Sequence, residues 1–212
     1  MNQNDELRLG IEKMSVDISA QQEELLLKYM SLLQKWNKVY NLTAIRNPGQ
    51  VVSHHLLDSL SVLPYLWSGR WLDVGCGAGL PGLVLGIVRP QWNFTLLDSN
   101  SKKVGFVQQV IIELGLKNVS VSCARVEDFR PLELYDGIIS RAFTELGGFL
   151  KVTRHLISEQ GRWAAMKGWV DKELQTVPVG WRVDKVISLQ VPKLDAARCL
   201  VVVSCDGANR HD

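Results

Sequence analysis

The sequence feature that most constrains the fold is the segment 71–82, WLDVGCGAGLPG, which joins an apolar run to a helical one. Its glycines let backbone amides approach a ligand closely, and Pro81 suits the first turn of a helix. In an open parallel sheet, nucleotide-type ligands bind in the crevice beyond the carboxyl ends of the strands. The segment therefore predicts an α/β fold that holds such a ligand at this turn.

Around this turn, short apolar runs alternate with helical segments. Strands are predicted at 70–74, 93–97, 119–123 and 137–139, and helices at 81–88, 102–114 and 145–157. This alternation is typical of a parallel sheet with helical crossovers. Gly115 and Gly161 follow two of the helices and are predicted to end them.

The last part of the chain has a different pattern. Strand candidates occupy 162–166, 181–189 and 198–204, with no convincing helix between the last two. Strands joined without a crossover helix pair antiparallel. The sheet is therefore predicted to end in an antiparallel hairpin.

The first part of the chain is predicted to be helical. Ser19 and Gln22 form a capping box, and apolar residues then recur at three-and-four spacing as far as Tyr40. A second amphipathic segment at 50–63 ends before a proline. We therefore expect residues 1–65 to form a helical extension packed on a main domain at 66–212.

The composition, with 46% apolar and 22% charged residues, is that of an ordinary globular protein. No apolar run approaches the roughly 20 residues of a membrane span, and the amino terminus lacks a secretion signal. The four cysteines lack metal-ligand spacing. We expect a cytoplasmic monomer without membrane or metal. The net charge of +2 neither indicates nor excludes a nucleic-acid partner.

Two cofactors compete for the glycine-rich turn. Gly77, Gly79 and Gly82 satisfy the dinucleotide pattern G-x-G-x-x-G, and Asp98 follows about 20 residues later, so a nicotinamide-dependent oxidoreductase is one interpretation. Asp73 favours the other. A carboxylate directly before the turn repels phosphate but suits the cationic amino-acid end of S-adenosylmethionine.

Motifs spread over nearly the whole chain resemble those of the bacterial small-subunit ribosomal RNA guanine-N7 methyltransferases, also known as the glucose-inhibited division protein B family. The matching segments are 35–38 KWNK, 40–43 YNLT, 55–59 HLLDS, 73–75 DVG, 79–82 GLPG, 96–99 LLDS, 125–127 RVE, 140–143 SRAF and 167–168 KG. Cys76 and Ala78 depart from the family pattern, which often has Thr or Ser and then Pro. Neither departure removes a side chain that the chemistry requires.

The resemblance implies a Rossmann-like, seven-stranded methyltransferase sheet with S-adenosylmethionine as cofactor. It also implies a substrate, a guanosine in the 530 loop of 16S rRNA (guanosine 527), presented by the RNA or by a small ribosomal subunit particle. By position, the resemblance implies cofactor contacts at Gly75, Leu80, Val126, Glu127 and Arg141, with Asp98 on the ribose. Gly77 of the glycine-rich turn is a further candidate for a cofactor contact.

Guanine N7 presents an in-plane lone pair, so its methylation needs alignment with the methyl donor and no general base. Enzymes that methylate exocyclic amines resemble one another: after the fourth strand they share a loop of the pattern Asn- or Asp-Pro-Pro-aromatic. This chain has 140–143 SRAF at that place, which supports methylation of N7. Four residues are candidates for positioning the substrate: His55, Arg141, Phe143 and Lys167. For Arg141 the alternative is a structural salt bridge, and for Phe143 a place in the core.

Lys102, Lys103 and Arg125 are candidates for phosphate contacts, because they lie near the edge of the sheet where RNA must arrive. Surface solubility explains the two lysines equally well. His55 and Asp58 lie one helical turn apart, which permits a local hydrogen bond. A non-catalytic RNA-binding module with the same fold is a third interpretation of the whole chain.

Overall fold

The computed structural model describes residues 2–45, 47–175 and 177–206. Its strands form one sheet, and their bounds are β1 (Arg70–Val74), β2 (Asn93–Asp98), β3 (Val119–Cys123), β4 (Tyr135–Arg141), β5 (Ile157–Lys167), β6 (Trp181–Ser188) and β7 (Cys199–Cys205). The strand order is β3-β2-β1-β4-β5-β7-β6. In this order, the first five strands (β3, β2, β1, β4 and β5) are parallel to one another, and β7 pairs antiparallel with both β5 and β6. The predicted sheet with a terminal antiparallel hairpin is confirmed.

The helices are α1 (Gln3–Met14), α2 (Ala20–Tyr40), α3 (Pro48–Val51), α4 (Asp58–Leu60), α5 (Gly82–Val88), α6 (Ser101–Leu114), α7 (Leu146–Thr153) and α8 (Asp171–Leu174). A π-helical segment, Val52–Leu57, connects α3 directly to α4. Single 3₁₀ turns lie at Leu63–Tyr65, Val126–Asp128 and Arg154–Leu156. The capping box is present as predicted, since Ser19 and the Gln22 side chain each bond the other's backbone amide. α1 falls within the part of the chain that was predicted to be helical, although its bounds were not predicted, and α8 was not predicted.

The two glycines predicted to end helices behave differently. Gly115 ends α6 in the left-handed conformation, with φ of 65°. Gly161 lies inside β5, so the prediction of a helix stop there is wrong. The helix predicted at 145–157 ends at Thr153, and the chain enters β5 at Ile157. A β-carbon at Gly161 would lie 2.8 Å from the backbone oxygen of Tyr135, so this glycine permits the close approach of β4.

Alternate side chains of β1 enter the hydrophobic clusters on the two faces of the sheet. Trp71 packs with α5, α6 and the amino-terminal helices, whereas Leu72 and Val74 pack with α7. Leu26 of α2 and Phe106 of α6 belong to the same cluster as Trp71, and both are fully buried. The amino-terminal helices therefore share a core with one face of the sheet.

The chain order reverses between β1 and β4, which are neighbours in the sheet. Such a topological switch opens a crevice at the carboxyl ends of the strands. In the three described ranges, no helix is both long and apolar enough to cross a membrane. Within those same ranges, no group of three His, Cys, Asp or Glu side chains is placed to hold a metal ion.

Candidate cofactor and substrate site

The glycine-rich turn is held to the end of β2 by its own backbone amides. Gly75 and Cys76 both donate to the carbonyl of Leu97, at 2.8 and 3.1 Å, and Gly77 donates to Oδ2 of Asp98 at 2.9 Å. The φ angles of Gly75 and Gly77 are +69° and +56°, which a residue with a β-carbon adopts only with strain. The turn therefore requires glycine to follow this path.

Asp73 lies beneath the turn and is fully buried. Its Oδ2 accepts a hydrogen bond from the amide of Gly82 at 2.8 Å, and Oδ1 has no partner among the described residues. Burial raises the pKa of Asp73 to about 7, against the opposing effects of the Gly82 amide and the Arg141 charge. Asp73 does not line the neighbouring cavity. Asp73 was expected to face the cationic end of the cofactor, but its carboxylate instead bonds the glycine-rich turn.

A cavity of about 310 Å³, the first cavity, lies where the carboxyl ends of β1, β2 and β4 meet. Its lining comes from these strand ends and from the segment after β3: Val74, Gly75, Leu97, Asp98, Ser99, Lys103, Ala124, Arg125, Val126, Glu127, Ala142 and Phe143. Four of the predicted cofactor residues are therefore together here. The other three, Gly77, Leu80 and Arg141, do not line it.

Those three residues each have another place. The amide of Gly77 is bonded to Asp98, which does line the cavity. Leu80 is 4% exposed and packs in the core under the turn. Arg141 lines an adjacent cavity. Of the phosphate-contact candidates, Lys103 and Arg125 line the first cavity and Lys102 does not.

The residue types of the first cavity fit a nucleoside. Asp98 accepts from the amides of Gly77 and Asn100, at 2.9 and 2.8 Å, and a carboxylate retains further lone pairs for ribose hydroxyl groups. Val126 adds an aliphatic surface beside the Glu127 carboxylate. A β-carbon at Gly75 would lie 2.6 Å from Cδ2 of Phe143, so the absence of a side chain keeps this wall close to the aromatic ring.

A second cavity of about 380 Å³ adjoins the first, because Ala142 lines both. The lining of the second cavity comes from the helical extension and from the carboxyl-end loops of β4 and β5, with one residue before β7: Ile45, His54, His55, Asp58, Arg141, Ala142, Met166, Lys167, Gly168 and Arg198. Three of the four predicted substrate-positioning residues, His55, Arg141 and Lys167, therefore meet here. The fourth, Phe143, lines the first cavity.

Asp58 joins two guanidinium groups in the second cavity. Its carboxylate, 1% exposed, accepts from Arg141 at 2.8 Å and from Arg198 at 3.1 Å. Arg141 also donates to the carbonyl of His54 at 2.9 Å. One carboxylate paired with two guanidiniums leaves a net positive charge. The salt bridge considered for Arg141 is present, and it orients this side chain toward the cavity.

His55 is buried and uncharged. Its Nε2 and the hydroxyl of Thr43 lie 3.0 Å apart in a hydrogen bond, so the His55–Asp58 hydrogen bond that the spacing permitted is not formed. Burial, together with the Arg141 charge, lowers the pKa of His55 to about 4. The imidazole is therefore neutral at physiological pH.

Lys167 and Phe143 flank the junction of the two cavities. The ammonium group of Lys167 donates to the carbonyl of Thr144 at 2.6 Å and to the carboxylate of Glu173 at 2.8 Å. Phe143 packs edge-on against Phe149, with ring centroids 6.5 Å apart, and remains 39% exposed. Phe143 thus packs partly against the core and remains partly accessible, which combines both interpretations of this residue.

Comparisons with known proteins identify the family. A family model described as GidB, rRNA small subunit methyltransferase G, matches residues 22–201. The chain belongs to this family. It is 50% identical over 202 residues to Ribosomal RNA small subunit methyltransferase G of Laribacter hongkongensis, covering 95% of this chain and 98% of that protein. The protein of the same name from Pseudomonas aeruginosa strain UCBPP-PA14 is 48% identical over 203 residues, covering 95% of each chain.

Solved structures give the same fold. An S-adenosylmethionine-dependent methyltransferase from Aquifex aeolicus matches with a TM-score of 0.58 at 19% identity, covering 82% of this chain and 97% of that one. One from Clostridium acetobutylicum matches with a TM-score of 0.56 at 11% identity, covering 84% and 99%. The GidB-family chain is therefore an S-adenosylmethionine-dependent methyltransferase, as the resemblance implied, and the oxidoreductase and non-catalytic interpretations are wrong.

The sequence did not reveal two contributors to the site. Arg198 lies just before β7, in a stretch with no motif, and reaches Asp58 from 140 residues away. Tyr29 of α2 contacts the glycine-rich turn and was predicted as one more apolar residue of an amphipathic helix. Both contacts depend on tertiary structure that no local pattern encodes.

Proposed function

We propose that this GidB-family enzyme transfers a methyl group from S-adenosylmethionine to N7 of a guanosine in the 530 loop of 16S rRNA, at guanosine 527. The RNA or an assembling small-subunit particle in the cytoplasm presents that base. The observation that carries this proposal is the junction at Ala142, where a cavity suited to a nucleoside meets a positively charged cavity.

The first cavity is assigned to the cofactor. Asp98 binds the ribose hydroxyl groups, and Val126 and Glu127 contact the adenine. Gly75 forms the backbone wall beside the amino-acid end, and the amide of Gly77 holds Asp98 in place. Leu80 packs beneath the turn, and Arg141 lies at the border of the first cavity with the second. When bound, S-adenosylmethionine supplies a methyl group activated by a positively charged sulfonium.

The second cavity is assigned to the target guanine, and its residues align the base without removing a proton. Guanine N7 has an in-plane lone pair and needs no activation. His55 is neutral and bonded to Thr43, and the Asp58 carboxylate is bonded to Arg141 and Arg198. These engagements support in-line transfer that depends on positioning alone.

Arg141 gives this cavity a means of selecting guanine. Its guanidinium is fixed by Asp58 and the His54 carbonyl, and it has further N–H groups to donate. Donation to guanine O6 recognises the acceptor next to N7 and leaves N7 free to react. The Asp58 carboxylate partly offsets the arginine charge, which reduces repulsion of the positive charge that develops on the purine.

The RNA backbone approaches over the face that carries Lys103 and Arg125 at the first cavity, with Lys102 beside them at the start of α6. These cations neutralise phosphate groups. Lys167 braces the loop after β4 through Thr144. Phe143, which is 39% exposed, stacks on the displaced base.

The test is methylation of defined particles. Small subunits from cells that lack the enzyme are incubated with labelled S-adenosylmethionine, and the modified nucleotide is mapped by mass spectrometry of nuclease fragments. We expect N7-methylguanosine at a single position in the 530 loop. Cofactor binding accompanied by a methyl group at another atom or another position would contradict the assignment.

A further inference from the structure

A third cavity, of about 330 Å³, lies between α2 and the segment that leads into the π-helix. Aliphatic side chains of Leu33, Ile45 and Val51 form part of its wall. The amide side chains of Gln34 and Asn37 complete the α2 side. It is thus a mixed cavity in which flat apolar surface alternates with uncharged hydrogen-bonding groups.

Two buried polar atoms in this wall lack a partner among the described residues. They are Nε2 of Gln34 and Nδ1 of His55. His55 is only 3% exposed, and its other ring nitrogen is engaged by Thr43. Buried polar groups in folded proteins are nearly always hydrogen-bonded, so two unpartnered ones in a single cavity indicate a ligand that supplies the missing bonds.

The third cavity adjoins the proposed reaction site. Ile45 and His55 line both the second and the third cavity. His55 is therefore part of the wall of the space assigned to the target guanine and of the space beside α2. A strand of RNA that places one base in the second cavity has the third cavity as its neighbour.

We propose that the third cavity is a subsite for a second nucleobase of the same RNA, flanking the target guanosine. This inference rests on the proposed function. A nucleobase is flat, fits between aliphatic side chains and offers donors and acceptors on its edge to Gln34 and His55. Lys38 lines the same cavity and supplies a cation for the attached phosphate.

The chemistry of the lining separates a nucleobase from other ligands. The described lining contains no carboxylate, so no negative charge in it offsets the charge of a metal cation or an ammonium group. Lys38 is its single described cation, which is too little for a multiply charged anion. Through this subsite the helical extension takes part in choosing the sequence around the methylated guanosine.

The first experiment monitors His55 directly. The enzyme, saturated with S-adenosylhomocysteine, is titrated with each nucleoside 5′-monophosphate and, as a backbone control, with ribose 5-phosphate. Imidazole nitrogen signals are resolved by long-range ¹H–¹⁵N spectra, since the chain has four histidines. We expect at least one base to shift His55 Nδ1 in the wild-type enzyme but not in Gln34→Leu, which alters the third cavity and not the second, and we expect no shift from ribose 5-phosphate. An equal shift in both proteins would place the base in the second cavity and overturn the subsite. If no nucleotide shifts the His55 Nδ1 signal, the cavity does not bind a nucleobase, and the proposal is overturned.

The second experiment replaces Gln34 with leucine, which occupies similar space without a hydrogen bond. We expect Gln34→Leu to weaken mononucleotide binding and to raise the KM for small-subunit particles, each about tenfold, as loss of one hydrogen bond predicts. S-adenosylhomocysteine affinity and kcat should stay unchanged. Gln21→Leu, on the exposed side of α2, is the matched control. Equal behaviour of the two variants would overturn the subsite.

The two proposals fail in different ways. If the enzyme does not methylate the 530 loop, the proposed function is wrong whatever the mononucleotides do. If methylation occurs with normal cofactor binding while His55 does not respond to any base, the reaction site stands and the subsite is wrong.

Discussion

The hydroxyl group of Tyr29 donates a hydrogen bond of 2.8 Å to the carbonyl of Ala78. Tyr29 belongs to α2 and is fully buried, whereas Ala78 lies in the glycine-rich turn. Burial raises the pKa of this phenol, so it stays protonated and continues to donate. The helical extension therefore supports the turn from the side opposite the first cavity, and mutations in α2 can affect a ligand that they do not touch.

Replacing Tyr29 with phenylalanine tests this support. Tyr29→Phe keeps the ring and leaves the Ala78 carbonyl without its donor, which should cost about 1–3 kcal/mol in the free energy of unfolding. We expect S-adenosylhomocysteine to bind less tightly as well, because the turn loses a fixed point. Urea unfolding and calorimetric titration measure the two effects. Tyr65→Phe, at a position 43% exposed, should change neither quantity.

Asp98→Asn tests the cofactor assignment. The variant keeps an oxygen for only one of the two backbone amides, which bond different oxygens of Asp98, and it loses the charge that favours hydroxyl donors. S-adenosylhomocysteine affinity should therefore fall by about tenfold or more. Asp128→Asn, at an exposed position in the 3₁₀ turn after β3, is the control and should bind normally. An unaltered dissociation constant for Asp98→Asn would place the ribose elsewhere.

The sheet was predictable because its central strands are buried on both faces and appear as short apolar runs between turns. The observed bounds of β1 and β3, Arg70–Val74 and Val119–Cys123, equal the predicted ones. By contrast, residues 1–65 were expected to be helical but the bounds of α1 were not predicted, because Glu6 and Gly10 occupy buried positions that an amphipathic pattern requires to be apolar. Gly10 faces the side chain of Leu57, where a β-carbon would lie 2.4 Å from Cδ1. Such close helix packing is not visible in local sequence.

The candidate site was predictable where it follows from strand ends and not where it depends on long-range contacts. Asp98 ends β2 and Glu127 follows β3, and parallel strands bring their carboxyl ends to one edge of the sheet. Arg198 reaches Asp58 because β7 returns antiparallel beside β5. Asp73 was assigned to the ligand from its position in sequence, but strand alternation directs it under the turn, against Gly82.

Two buried groups make opposite contributions to the pH dependence of stability. The pKa of His55 is about 4 against a usual 6.5, so the unfolded chain binds a proton that the folded one excludes, and stability falls as pH falls from 6.5 to 4. The pKa of Asp73 is about 7 against 3.8, so the folded chain keeps a proton, and stability falls as pH rises from 3.8 to 7. Over the shared range the two contributions oppose each other.

Single substitutions should separate these contributions. Asp73→Asn removes the contribution that opposes that of His55, so relative to wild type the variant should lose on the order of 3 kcal/mol as the pH falls from 6.5 to 4. His55→Gln removes the His55 contribution, so its stability relative to wild type should instead fall as the pH rises from 4 to 6.5. Urea unfolding at half-unit pH intervals measures both. His155→Gln, at an exposed histidine, should follow the wild-type curve, and parallel curves for all proteins would contradict the assignment.

Arg198 and Arg141 share the Asp58 carboxylate. Arg198 is bonded to it through Nε, so the two terminal nitrogens of its guanidinium group are left for other acceptors. One of these nitrogens, Nη1, donates to the carbonyl of Ala197. Arg198→Ala should lower kcat/KM for small-subunit particles by about 10–100-fold, the effect of losing a charged hydrogen bond of about 1.5–3 kcal/mol. Affinity for S-adenosylhomocysteine should be unchanged, because Arg198 lines the second cavity and not the first.

The matched control for Arg198→Ala is Arg182→Ala, which removes an exposed guanidinium paired with Asp184 on the terminal hairpin. Both variants lower the net charge equally, so if Arg198 acts only by electrostatic attraction, RNA binding should weaken equally in both variants and become less sensitive to salt. We expect the larger loss at Arg198 to persist at high particle concentration as a lower kcat, since the guanidinium holds the base in position. If both variants lose the same activity, and the loss disappears at saturating particle concentration, Arg198 contributes only a general electrostatic attraction to RNA phosphate.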